Sequence, residues 1–138
     1  MSIDNQNIDQ QTKWISVKNN ALPAAKFKYT PVVLAGDFIF VSGLIGLDRE
    51  TGRLVEGGLS QQTRQILKNL ENLCLDINVE LKQLMLTRVY CTDFSEFHYF
   101  NDVWEEFFKE KIPPARTSLG VSALPLGALI EMEFQFVV

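Results

Sequence analysis

A chain of 138 residues that is 46% hydrophobic can bury roughly two-thirds of its unfolded surface in a single domain, with no need for a disulfide or a metal. The formal net charge is -4, the isoelectric point is near 5.0 and no Lys/Arg cluster stands out, which argues against phosphate-backbone binding as the main activity. One His and two separated cysteines argue equally against a zinc or iron centre.

Residues 1–12 are polar, rich in Asn, Gln and Asp, and lack an apolar segment behind a basic start, so they read as a flexible tail and not as a signal or transit peptide. Residues 13–138 read as one domain, and no apolar run is long enough to span a bilayer, so the expected setting is cytoplasmic. Trp14 to Val17 is a short strand candidate, followed by a turn-rich connection through Asn19 and Asn20. Pro31 to Ala35 and Phe38 to Ser42, both β-rich, flank a Gly36-Asp37 turn and predict a hairpin. A glycine-containing loop follows, with Gly43, Gly46, the Asp48 to Gly52 turn and Gly57-Gly58, and Ser60 is the candidate N-cap of the next helix. Leu59, Thr63, Ile66, Leu67, Leu70, Leu73, Cys74 and Ile77 recur at helical spacing.

Leu84 to Thr92 reads as a buried strand, and Asp93 with Glu96 forms a capping-box pattern ahead of a second helix with the stripe Phe97, Phe100, Asn101, Trp104, Phe107, Phe108. Pro113-Pro114 ends that helix. Two strands, Ala115 to Val121 and Leu129 to Val138, joined by a turn at Pro125-Leu126-Gly127, complete a β-β-β-α-β-α-β-β order. This predicts an α+β domain with a mixed sheet and both helices on one face, because crossovers between parallel strands are right-handed. The runs 32–35 and 38–41 are apolar at consecutive positions, as in strands buried on both sides. The uncovered sheet face is therefore expected to pack against other copies of the chain. Cys74 and Cys91 sit inside apolar runs and read as core residues of a reducing compartment.

Chemistry concentrates late in the chain. Along a strand from Ala115, Arg116, Ser118 and Gly120 share one face; along the last strand Glu131, Glu133 and Gln135 share another, opposite Ile130, Met132, Phe134 and Phe136. A guanidinium stays protonated, so a semi-buried Arg needs an anionic partner. If the last two strands pair through their short turn, Arg116 meets Glu131 or Glu133 as a cross-strand ion pair. The functional alternative is an Arg that clamps a small carboxylate bidentately while a Glu handles a water or a proton. His98 reads as an exposed helical residue, Tyr29 as a strand aromatic or a gate over a pocket, and Asn101 as a polar group that needs a hydrogen-bond partner. The glycines match neither phosphate-binding spacing.

Taken together, Gly36 to Gly43 (GDFIFVSG), Asp48 to Gly52 (DRETG), Gln62 to Leu70 (QTRQILKNL), Thr92-Asp93-Phe94 with Phe97, Asn101 and Phe107-Phe108, Pro114-Ala115-Arg116, and Leu124 to Glu133 (LPLGALIEME) resemble the Rid family. These are the RidA/YjgF reactive enamine/imine intermediate deaminases, also labelled endoribonuclease L-PSP, and the likeness spans about residues 23–138. The resemblance implies a Bacillus chorismate-mutase-like fold and a homotrimer whose sheets form a central barrel, with sites in the clefts between subunits. It implies that Arg116 binds the substrate carboxylate, that Glu131 orients or activates water, and that Tyr29 and Gly43 line the pocket, with Ser118 and Asn101 as further binding positions. Glu133 is left with a structural role. This sequence departs from the family pattern where Leu44 replaces a common Gln, Ser118 a common Cys, and Phe27-Lys28-Tyr29 a common Gly-Pro-Tyr.

The activity so implied is hydrolysis of 2-imino and 2-enamino acids to 2-oxo acids and ammonia, with no cofactor and no metal. Alternatives are a specialised deaminase, for example one acting on 2-aminomuconate, and a non-catalytic trimer that binds 2-oxo acids. Ribonuclease activity is disfavoured by the acidic charge and the absence of a His pair or basic groove.

Overall fold

A computed structural model describes residues 13–138; the polar segment 1–12 lies outside the described residues. The elements are β1 (Trp14–Ser16), β2 (Val32–Ala35), β3 (Phe38–Leu44), α1 (Gly58–Ile77), β4 (Leu84–Cys91), α2 (Phe97–Phe107), β5 (Ala115–Gly120) and β6 (Ile130–Val137). Short 3-10 turns at Leu81–Gln83, Phe94–Glu96 and Pro125–Gly127 enter β4, α2 and β6 respectively. The strands form one six-stranded sheet in the order β1-β2-β3-β6-β4-β5. All pairings are antiparallel except β4 with β5. Because β3 and β4 each run antiparallel to β6, they are parallel to each other, so both helices sit in crossovers between parallel strands and cover the same face.

That face carries the core. Val32, Ile39, Val41, Val89, Cys91, Ile130, Met132, Phe134 and Phe136 interlock with Ile66, Leu67, Leu70 and Leu73 of α1 and Phe97, Phe100, Val103 and Trp104 of α2. The odd-even alternation along β6 is complete from Ile130 to Phe136, the even positions buried and Glu131, Glu133 and Gln135 half-buried on the other side. Two polar residues of α1 are buried because each is bonded to a loop: Asn69 Nδ2 donates to the Leu47 carbonyl (2.9 Å), and Gln62 Oε1 accepts from the Leu129 amide (2.9 Å). Gly46 makes this fit possible, since a Cβ there would stand 2.7 Å from the Gln62 Cα. The loop before α1 and the entry to β6 are thereby fastened to one face of the helix, two turns apart.

The structure departs from the expected arrangement at several points. β5 and β6 are consecutive but do not pair: β6 runs between β3 and β4, and β5 takes the sheet edge beside β4. Gly57, in a left-handed conformation, caps α1 in place of Ser60. Asp93 does cap, but it caps the 3-10 turn that precedes α2, its carboxylate accepting from the Ser95 amide at 3.0 Å. The runs 32–35 and 38–41 are buried on one face only within the chain, and on the other Phe38 and Phe40 are 38% and 41% exposed. With Trp14 and Val137 they leave an apolar patch on the sheet face that no helix covers. Both cysteines are buried, unpaired thiols, and no helix among the described residues is long and apolar enough to cross a membrane.

Candidate active site

The site residues fall into two groups on opposite faces of the sheet. The first surrounds a cavity of about 230 Å³ lined by Tyr29, Ser42, Gly43, Leu44, Leu126 and Glu131 among others. β3 delivers Gly43 through a bulge: three steps along β3, from Val41 to Leu44, span two along β6, from Phe134 to Met132. Ser42 is fixed there by its hydroxyl donating to the Thr30 carbonyl (2.8 Å) and its amide to the Pro31 carbonyl (2.9 Å). These bonds tie the bulge to the segment that carries Tyr29. Glu131 folds over Gly43 so closely that a Cβ at residue 43 would stand 2.8 Å from the Glu131 Cδ and 3.1 Å from its Cγ. On the far side of the cavity Leu126 occupies a left-handed conformation (φ 57°), which holds the Pro125–Gly127 turn over the pocket.

Two glutamates two residues apart on β6 have different surroundings. Glu133 is occupied: it accepts from the Tyr90 hydroxyl (2.5 Å) and pairs with Arg88 (3.7 Å). Its charge and hydrogen bond push the Tyr90 hydroxyl upward in pKa. Among the described residues the Glu131 carboxylate has neither a hydrogen-bond donor nor a cation within reach. Burial, helped by the charge of Glu133, raises it above the ordinary 4.5. A half-buried carboxyl with a raised pKa and free oxygens is suited to taking up and returning a proton.

The second group centres on Arg116, on the helix-covered face at the sheet edge. Its register partner on β4 is Thr87, itself opposite Phe134, which puts Arg116 on the face of the even-numbered β6 residues and not on that of Glu131. The guanidinium carbon lies 5.2 Å from the Trp104 ring, 5.3 Å from Phe100 and 5.7 Å from Phe97. Aromatic faces attract a cation without satisfying its five N–H donors. No carboxylate among the described residues lies within ion-pair distance of Arg116. Arg116 is exposed in the single chain and not semi-buried as its strand sequence suggested, so water can meet its free N–H groups; the partial desolvation it does undergo lowers its pKa, opposed by the charge of Glu105. Ser118, half-buried, follows on the same face, and Asn101 sits on α2 one turn after Phe97, half-exposed and with no side-chain hydrogen bond among the described residues. The hydrogen-bond partner expected for Asn101 is not found within the described residues of the chain.

The cross-strand ion pair of Arg116 with Glu131 or Glu133 is thus overturned. β4 separates β5 from β6 and the side chains point to opposite faces; two strand spacings place the Arg116 Cα roughly 14 Å from that of Glu131, three residues along, and roughly 10 Å from that of Glu133, one residue along. Within one chain Arg116 and Glu131 do not meet. Sequence reasoning missed the aromatic bed of Arg116, because Phe97, Phe100 and Trp104 repeat at core spacing. It also missed Lys26, Ser42 and Leu126 as cavity residues. Only the Gly-rich turn next to Leu126 hinted at its conformation. His98 is exposed on α2 as expected.

Comparison with known proteins identifies the family. The family model described as Endoribonuclease L-PSP matches residues 19–138. A 2-iminobutanoate/2-iminopropanoate deaminase of Homo sapiens is 34% identical over 111 residues, 80% of this chain and 80% of that protein. A RutC family protein of Aquifex aeolicus is 35% identical over 118 residues, 85% of this chain and 94% of its relative. Among solved structures, YyfA of the Rid protein family from Yersinia pestis superposes with a TM-score of 0.85 at 32% identity, covering 91% of this chain and 99% of that one. The E. coli YjgF gene product superposes with a TM-score of 0.82 at 29% identity, covering 89% and 98%. The matched span takes in both groups of site residues, and the chain belongs to the Rid (YjgF, endoribonuclease L-PSP) family.

Proposed function

We propose that the chain is a hydrolytic deaminase of reactive 2-imino and 2-enamino acids, working as a homotrimer in which Arg116 of one subunit faces Glu131 of the next. The observation that carries this reading is the pair of unmatched charges. An Arg seated on aromatic rings without a carboxylate, and a Glu in a cavity without a cation, lie on opposite sheet faces of one chain. Packing copies through the uncovered face that bears Phe38 and Phe40 would give the edge strand β5 of one subunit access to the cavity of another. The family membership and the deaminase name of the human relative support the chemistry.

The substrate is a 2-imino acid, with a carboxylate beside an electrophilic C=N carbon. Arg116 holds the carboxylate through paired N–H bonds, with Ser118 and Asn101 available to its oxygens, and so fixes the imine carbon in the cavity. A water next to Glu131 adds to that carbon while the carboxylate accepts its proton, forming a carbinolamine. Glu131, now protonated, returns the proton to nitrogen. With the imine protonated at the outset, the C–N bond then breaks and ammonia leaves while the carbinol hydroxyl gives its proton to the freed Glu131 carboxylate, so that its oxygen becomes the 2-oxo group; that proton departs with the ammonia as ammonium. Atoms and charge balance without a redox step. Because imines hydrolyse unaided, orientation and general acid-base transfer worth roughly a hundred- to ten-thousand-fold are sufficient. Tyr29 and Leu126 close the cavity around the reacting carbon.

The test is ammonia release from 2-iminopropionate or 2-iminobutyrate generated enzymatically. Wild type should accelerate it and Arg116→Ala should abolish the acceleration. A protein that binds 2-oxobutyrate but does not speed hydrolysis would be a ligand-binding trimer. Full activity in Arg116→Ala would remove the assignment.

A further inference from the structure

An exposed lysine that the deamination step does not use borders the cavity. Lys26 lines it together with Phe27, Leu44, Ile45 and Leu126. Lys26 rests on the glycine turn that follows β3: a Cβ added at Gly52 would stand 3.3 Å from its Nζ, and Gly52 has a left-handed φ of 68°. The carboxylates of that turn are engaged elsewhere. Asp48 accepts from the Glu50 and Thr51 amides (2.9 and 2.8 Å), and Glu50 lies 3.7 Å from Arg49. Among the described residues Lys26 makes no ion pair. Glu131, the other charged residue in the cavity wall, is beyond ion-pair distance of it.

A cavity of about 230 Å³ has room for several waters' worth of ligand beyond the few atoms of an iminopropionate. Its added length is apolar, through Phe27, Leu44, Ile45 and Leu126, and Lys26 is the cation on that wall. An ammonium at the open edge of an apolar wall favours a ligand that brings an anion to it, because a charge-assisted bond there adds selectivity over an uncharged end. We infer that Lys26 forms a subsite for a second, distal carboxylate, so that the preferred substrates are 2-imino or 2-enamino acids whose side chain ends in an anionic group. This rests on the deaminase reading, in which Arg116 already takes the carboxylate next to the imine.

Stable 2-oxo acids of equal carbon number isolate the distal charge: 2-oxoglutarate against 2-oxopentanoate, and 2-oxoadipate against 2-oxohexanoate. Calorimetric Kd values for the wild-type trimer should favour the dicarboxylate in at least one pair. Lys26→Met should reduce that preference about tenfold, and Lys26→Arg should keep most of it. Lys26 is exposed, so neither substitution threatens folding. The kcat/KM ratio for the corresponding imino acids should move with the Kd ratio. Equal affinity within both pairs, or a preference that survives in Lys26→Met, overturns the inference and leaves the deaminase reading standing. Failure of wild type to bind any of the four acids, or binding undiminished in Arg116→Ala, removes the deaminase reading and the subsite together.

Discussion

Gly43→Ala tests how closely the activity depends on the placement of Glu131. The new methyl would lie 2.8 Å from the Glu131 Cδ and 3.1 Å from its Cγ. Carbon atoms pack at 3.5 Å or more, so the carboxyl must retreat by about 0.7 Å. Gly43 does not use a left-handed backbone conformation, and alanine suits a strand better than glycine, so the chain should fold normally. The cost then falls on catalysis. A displacement approaching 1 Å of a group that must meet a bound water costs up to about a hundredfold, and we expect kcat for iminopropionate hydrolysis to fall by roughly ten- to a hundredfold. Binding of 2-oxobutyrate through Arg116 should change less. The assay is steady-state ammonia release with the imine generated in situ, paired with calorimetry on the oxo acid. A Gly43→Ala protein with wild-type kcat would show that the position of Glu131 does not matter to the reaction.

Three further outcomes follow from the same geometry. Glu131→Gln should lose the catalysed rate yet resist denaturation better at pH 7. The raised pKa of Glu131 means that the folded state holds its proton more tightly than the unfolded state, so ionisation costs stability as pH rises from 4.5 through the folded value, and Gln is spared that loss. Denaturant midpoints at matched protein concentration should therefore converge for variant and wild type near pH 4 and separate toward neutrality; a constant gap would refute the burial argument. Trp104→Phe removes the larger ring beneath Arg116 and should weaken 2-oxobutyrate about two- to fivefold, consistent with a cation-π contact of 0.5–1 kcal/mol, and raise KM more than it lowers kcat. An effect on kcat alone would mean that the ring bed does not position the guanidinium. Arg88→Met, which strips Glu133 of its cation, should leave the catalysed rate within about twofold, because that pair is half-exposed and contributes little; a large loss would assign the second glutamate a chemical role.

Most of the fold was legible because apolar periodicity maps directly onto burial. The alternation of Ile130, Met132, Phe134 and Phe136 marked β6 and the stripe from Leu59 to Ile77 marked α1, whereas α2 stops at Phe107, six residues before the Pro113-Pro114 pair expected to end it. What local signals did not give was strand order. A short turn between β5 and β6 suggested that they pair, since consecutive strands usually do. Burial decides otherwise: four large β6 side chains are fully enclosed and need strands on both sides, whereas β5, with Ala115, Thr117 and Leu119 exposed, suits an edge. That contrast was present in the two strand sequences, and weighing it would have separated Arg116 from Glu131. The cap of α1 was misread for a local reason, because Gly57 and Gly58 supply left-handed turns that no side-chain signal marks. Two groups of residues on opposite faces could not be read as one site from one chain's periodicity at all, since on the proposed reading it is the packing of copies that would join them.

The most direct test of the central claim mixes two inactive variants. Arg116→Ala keeps Glu131, and Glu131→Ala keeps Arg116. If each site takes one residue from each of two neighbouring subunits, subunits exchanged by unfolding and refolding at equal ratio will restore both residues at about one quarter of the interfaces, giving about one quarter of wild-type activity. Each variant refolded alone should stay inactive. A mixture no more active than its components would contradict the shared site.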